Sequence, residues 1–151
     1  MRIALESPDQ ADVIALIAAL DAYQDALYPP ESRHALDLKS LKQPNVVFVV
    51  ARDAARRAIG CGAVVLHAAQ GELKRMYVDP QARGQGTAKA ILALLETKAR
   101  AAGCQLLRLE TGPYQPEALR LYEQCGYQRC AVFEPYRDDP LSVFMQKALV
   151  A

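Results

Sequence analysis

The sequence predicts one mixed α/β domain, a single sheet with helices on both faces. Three observations carry that expectation. The chain has 151 residues, the length of one compact unit. Short β-branched runs alternate along it with segments of helical apolar spacing. Those segments fall in the order β-α-α-β-β-β-α-β-α-β-β, with short connections and no repeat or low-complexity tract.

Arg2 to Glu6 reads as the opening strand. Ser7-Pro8-Asp9-Gln10 then carries the marks of a helix start: a serine cap, a proline in the first turn and glutamine at the capping-box position. Val13, Leu16, Leu20, Tyr23 and Leu27 follow on one helical face, and Tyr28-Pro29-Pro30 ends it. A shorter helical stretch is expected around Ser32 to Leu41. Asn45 to Arg52 and Ile59 to His67 are buried strands, and Gly60 and Gly62 in the second point to a bulge or a close backbone approach. Gly71 reads as the next turn, and Glu72 to Val78 as a strand stopped by Asp79-Pro80. Thr87 to Ala102 is helical, with Ile91, Leu95, Ala99 and Ala102 along one face. Lys98 and Arg100 suit the negative end of its dipole, and Gly103 is its left-handed stop. Gln105 to Glu110 is a strand. Pro116 to Cys125 is a short helix closed by Gly126, and Tyr127 to Phe133 and Leu141 to Leu149 are the last strands.

Composition excludes several function classes. Eighteen basic residues stand against 17 acidic ones, a net charge of +1, without the electrostatic footprint of a nucleic-acid binder. The longest apolar run, Val13 to Leu20, is eight residues, far below the ~20 of a membrane span. No basic-then-apolar leader opens the chain, so a cytoplasmic location is expected. The four cysteines, Cys61, Cys104, Cys125 and Cys130, form no CxxC pair and read as free thiols, mostly core-filling. His34 and His67 lie far apart in sequence, and no metal site is expected.

The chemistry concentrates in Gln81-Ala82-Arg83-Gly84-Gln85-Gly86-Thr87-Ala88, between a strand end and a helix start. Glycines there let the backbone approach an anion, and first-turn amides point at it with the helix dipole behind them. Phosphate is the natural guest. A Walker loop would need G-x-x-x-x-G-K-[ST], and a dinucleotide fingerprint would need glycine or alanine where Lys89 stands. Taken alone, the loop reads equally well as a plain glycine turn.

It does not stand alone. Its Q-x-x-G-x-G spacing, entered from Tyr77-Val78 and Pro80, resembles the acyl-CoA pyrophosphate loop of the GNAT N-acetyltransferase superfamily. Ala118-x-x-Leu121-Tyr122-Glu123-x-x-Gly126-Tyr127 resembles that family's late A-x-x-L-Y-x-x-x-G-[FY] motif. The tail from Glu110-Thr111-Gly112 to Lys147 is similar to a small bacterial subgroup whose acceptors are mostly unassigned. The resemblance implies a largely antiparallel sheet with a splayed central strand pair and acetyl-CoA as co-substrate. It implies main-chain contacts from Met76 and Val78 to the pantetheine arm, positions that ordinary strand core would also explain. It implies a pyrophosphate cradle of Arg83, Gly84, Gln85, Gly86, Thr87 and Ala88. Gln115 stands where many members carry asparagine, and is a candidate contact to the same arm. Tyr122 occupies the position of the tyrosine that protonates the departing CoA thiolate, although it also shares a packing face with Ala118 and Cys125.

An amine must attack as its free base, and Glu72 and Glu110, each at a strand end, are the two candidates to receive its proton. The acceptor site implied by this fold lies between the first helices and the last hairpin. Tyr28, Glu31, Tyr136, Asp138 and Asp139 are its candidates. If the acids line it, a cationic amine is favoured, while Asp138-Asp139-Pro140 serves equally as a turn. The expected activity is acetyl transfer to an amine of a small molecule or peptide by direct attack. The competing reading is a non-catalytic acetyl-CoA-binding regulatory module, and the resemblance is compatible with a homodimer.

Overall fold

A computed structural model describes residues 1–149. One sheet has the order β1-β2-β3-β4-β5-β7-β6. Its strands are β1 (Arg2–Leu5), β2 (Val46–Arg52), β3 (Ala58–His67), β4 (Gln70–Val78), β5 (Leu106–Thr111), β6 (Gln128–Arg129) and β7 (Val143–Ala148). Every neighbouring pair is antiparallel except β4 and β5, which run parallel. The helices are α1 (Ala11–Leu27), α2 (Leu38–Leu41), α3 (Thr87–Ala101) and α4 (Pro116–Gln124). None of the described helices is long and apolar enough to cross a membrane.

Strand alternation builds two cores. Val49 and Ala51 of β2 join Ile91, Leu92, Leu95 and Ala99 of α3 and Tyr122 of α4 on one face. Phe48 and Val50 point the other way, to Val13 and Leu16 of α1 and Leu41 of α2. The expected apolar face of α1 is thus the one that packs. Gly103 and Gly126, with φ of 88° and 94°, follow α3 and α4 in the left-handed conformation expected of helix stops. Gly62 lies where α3 presses on the sheet, so a Cβ there would crowd Met76, Ile91 and Leu95.

Several boundaries differ from the sequence reading. Helix α1 starts at Ala11 with Gln10 as an N-cap that makes no side-chain cap. Ser7 instead accepts from the Asp9 amide, and the Gln10 amide reaches back to Glu6 and the Ser7 carbonyl. Arg52 holds that turn by bonding Glu6, Gln10 and Asp12 across the sheet edge. The stretch expected to be helical from Ser32 is a 3-10 turn (Pro30–Ser32), an extended segment and the single turn of α2. The β3–β4 turn falls at Ala68-Ala69, with Ala68 at φ 56°, and not at Gly71. Gly71 lies inside β4 because a Cβ would meet Leu107, Val64 and Cys104. The strand expected over Tyr127 to Phe133 shrinks to Gln128–Arg129, since Phe133 leaves the sheet edge to pack edge-on against Tyr136 and Phe144.

Gly112 is a further packing glycine. A Cβ there would overlap the Tyr28 ring, which is stacked on Tyr114 and bonded to the Tyr114 amide. Gly112→Ala is expected to cost about 1–3 kcal/mol. Thermal unfolding should show this as a Tm lowered by roughly 2–4 °C per kcal/mol.

Candidate active site

The site begins where the sheet comes apart. Strands β4 and β5 pair only over Gln70–Glu72 and Leu106–Arg108, leaving the β5-facing edge of β4 without a strand partner from Leu73 to Val78. Opposite Cys61–Ala63 the β3–β4 register shifts, and Arg75 in that bulge takes φ 59°. A bulge of this kind bends its strand and re-aims side chains. The Arg75 guanidinium is 6% exposed and bonds Asp21 of α1 (2.6 Å) and the Leu36 carbonyl (3.0 Å).

The gap continues as a groove of about 530 Å³. Met76 and Val78 form its β4 wall, Gln115, Ala118, Leu121 and Tyr122 its α4 wall, and the glycine loop its mouth. Gly84 and Gly86 adopt φ of 81° and 77°, and a Cβ on either would meet nothing within 4 Å. Gly86 is the N-cap of the 15-residue α3 and offers no side-chain cap, so the first-turn amides are left for a ligand. Arg83 stands over this end, its Nε bonded to the Val78 carbonyl (3.2 Å) and its guanidinium about 6 Å from the rings of Tyr23 and Tyr77. Arg83, Gly84, Gly86, Thr87 and Ala88 line the groove, whereas Gln85 is exposed and outside its lining. Open space, free amides and a basic side chain suit a pyrophosphate, and the groove behind them suits an extended pantetheine arm. Gly86→Val forces a β-branched residue into the left-handed region. It is expected to weaken acetyl-CoA binding at least about tenfold, or 1.4 kcal/mol, by calorimetry.

A smaller pocket of about 90 Å³ opens on the other side of the same wall. Leu20, Met76, Gln115, Ala118 and Tyr122 belong to both cavities. Tyr122 is 6% exposed, and burial raises its phenol above the ordinary value, so it keeps its proton. Its hydroxyl makes no side-chain hydrogen bond among the described residues. Glu110, at the splayed end of β5, lines the smaller pocket. Burial pushes its carboxyl up to about 7, against a partial pull downward from the Ser142 hydroxyl and Lys74. Tyr28 also lines this pocket.

The other sequence-predicted residues lie elsewhere. Glu72 lines neither cavity; it accepts from the Tyr136 hydroxyl and pairs with Lys74 at 3.1 Å. Tyr136 is likewise outside both, held by Glu72 and Lys74 and packed on His34, Phe133 and Phe144. The expected acidic wall does not form. Glu31 and Asp138 are exposed. Asp139 is the turn former of the alternative reading, accepting from the Leu141 amide (2.8 Å) and the Ser32 hydroxyl (2.7 Å). The pocket is lined instead by Arg33, His34, Lys74 and Arg75, none of them among the candidates drawn from the sequence. The available signal was Lys74-Arg75, two adjacent cations in the middle of a strand otherwise read as core.

Known proteins agree with this architecture. Residues 15–127 match the model of the acetyltransferase (GNAT) family. The chain is 46% identical to an IAA acetyltransferase of Azospirillum brasilense, over 97% of both chains. It is 36% identical to the uncharacterized N-acetyltransferase YsnE of Bacillus subtilis, over 99% of this chain and all of that one. A crystal structure of a Klebsiella pneumoniae protein provisionally assigned as an acyl-CoA N-acyltransferase is 47% identical and superposes with a TM-score of 0.88, covering 99% of this chain and 97% of that one. At 18% identity, the fold is shared with an aminoglycoside 6'-acetyltransferase (TM-score 0.77, 100% and 99% covered). The parted strand pair, the glycine loop heading α3 and the family match over most of the chain lead to one conclusion: this chain belongs to the GNAT acetyltransferase family.

Proposed function

We propose that this protein is an acetyl-CoA-dependent N-acetyltransferase that moves an acetyl group onto the amine of a small molecule by direct attack. The observation that carries the reading is the junction of the two cavities at Tyr122, with Glu110 on the side away from the glycine loop. Acetyl-CoA supplies the activated acetyl thioester. Arg83 and the α3 amides bind its phosphates, and the free edge of β4 at Met76 and Val78 aligns its arm. Glu110 takes a proton from the attacking amine as the N–C bond forms; with its carboxyl near 7, it is matched to that task at neutral pH. Tyr122 gives its proton to the departing sulfur as the C–S bond breaks. Glu72 is already committed to Tyr136 and Lys74 and holds the loop that carries Tyr136. No cysteine lines either cavity among the described residues, and Cys61, buried with its thiol pushed up to about 12, is no nucleophile at neutral pH.

The test is acetyl-CoA-dependent thiol release across a panel of amines, run beside calorimetric binding of acetyl-CoA. Binding with turnover on one class of amine is the expected result. Absence of acetyl-CoA binding would refute the reading, and binding with no turnover on any amine would favour a regulatory acetyl-CoA-binding module.

A further inference from the structure

We propose that the acceptor amine also carries a carboxylate, received in the smaller pocket by the guanidinium of Arg33. This rests on the acetyltransferase reading and names the substrate class of the same site. Arg33, His34, Lys74 and Arg75 line the pocket, and the acid facing them is Glu110. Lys74 is engaged already, donating to the His34 carbonyl and the Tyr136 hydroxyl and paired with Glu72 at 3.1 Å. Arg75 is held by Asp21 and the Leu36 carbonyl. Arg33 differs. Its side chain is 13% exposed, its Nε meets Asp25 at 3.0 Å and its Nη2 meets Asp21 at 3.0 Å, while Nη1 has no partner among the described residues.

The counter-charge behind this corner is thin. One carboxylate, Asp21, serves both guanidiniums, its Oδ1 shared between them and its Oδ2 turned to Arg75, and Asp25 is 67% exposed. An exposed carboxylate is screened by water and salt, so it offsets little of the charge facing inward. A largely buried guanidinium whose Nη1 is unfilled is best satisfied by an anion, which accepts a charge-assisted bond from it. A carboxylate meets that need, and a second cation does not. Glu110 lines the same pocket, so a molecule with a carboxylate at one end finds a carboxyl group for its amine at the other. A pocket of about 90 Å³ suits a compact amino acid rather than an aminoglycoside or a long peptide.

The experiment titrates the CoA-saturated protein with free amino acids and, as matched partners, their carboxamides, which keep the skeleton and lose the charge. Binding is read by calorimetry and transfer by thiol release. The acid of at least one pair is expected to bind about 10- to 100-fold tighter than its amide. In Arg33→Gln that preference should collapse toward unity, and in Arg33→Lys part of it should survive, with acetyl-CoA affinity unchanged in both. Comparing the pair ratio between wild type and Arg33→Gln cancels the difference in amine basicity within a pair. Amides that bind as well as the acids, no binding of either member of any pair, or a preference that survives Arg33→Gln would each overturn the inference. Turnover on neutral amines would do so while leaving the acetyltransferase reading intact, whereas loss of acetyl-CoA binding strikes at that reading instead.

Discussion

Tyr122→Phe is expected to lower kcat by about 10²- to 10⁴-fold, the usual weight of a positioned general acid, with acetyl-CoA affinity within about twofold of wild type. The substitution is clean for structural reasons. The ring packs edge-on against Tyr127 at 5.8 Å, and phenylalanine keeps that contact. Among the described residues the hydroxyl has no side-chain hydrogen bond, so removing it orphans no buried partner there. What is lost is one O–H at the junction of the two cavities. Burial holds the proton on Tyr122 throughout the working pH range, so the phenol arrives at each cycle as an acid and not as a phenolate. Because the thiolate forms only as the C–S bond breaks, the deficit should appear in kcat and kcat/KM alike. Steady-state kinetics beside calorimetry check it, and turnover equal to wild type would take the proton from another donor.

How much of this was legible in the sequence differs between the two halves of the site. The placement of the proposed donor half was readable, Gln85 excepted, because its determinants are local. Glycines at 84 and 86 are required by positive φ and open space, and a loop followed at once by a helix start fixes where its amides point. Tyr122 sits on a short helix bounded by Pro116 and Gly126 and Gln115 is its N-cap, so their positions were set as well. The acceptor half was misread because its determinants are not local. The bulge lies opposite Gly62, one of the two glycines read as a bulge signal, but nothing in β4 itself marks that it re-aims Arg75, a side chain that simple alternation would assign to one face. Arg33 enters from an extended segment pinned by Asp21 and Asp25, acids two and three turns back along the chain on α1. Asp138 and Asp139 had the right sign for a cationic substrate, but one is exposed and the other is consumed by its own turn. Glu72 and Glu110 looked equivalent as strand-end carboxylates. They part only because β4 and β5 separate after Glu72, leaving Glu110 beside a cavity and Glu72 against Lys74.

That difference makes Glu110→Gln the second decisive substitution, and it should move activity and stability in opposite directions. As a base Glu110 must be ionised, so kcat/KM in the wild type is expected to show a limb near 7, distinct from the rise at higher pH that follows the amine's own ionisation. Glutamine keeps the shape and cannot accept the proton, so the rate should fall by about 10²- to 10⁴-fold and the limb near 7 should vanish. Unfolded, a glutamate gives up its proton near 4.5; folded, Glu110 keeps it to about 7 because burial penalises the charged form. Between those values the folded state binds more protons than the unfolded one, so wild-type stability declines as pH rises through that window. Glutamine has no proton to lose and escapes the decline. Denaturant unfolding at pH 5 and pH 8 should therefore show the variant gaining on the wild type at the higher pH. A residue buried for packing alone would not lose the kinetic limb, and an exposed strand-end carboxylate would not change the pH dependence of stability. Only a carboxyl held half-neutral inside the pocket does both, which is the environment that separates Glu110 from Glu72.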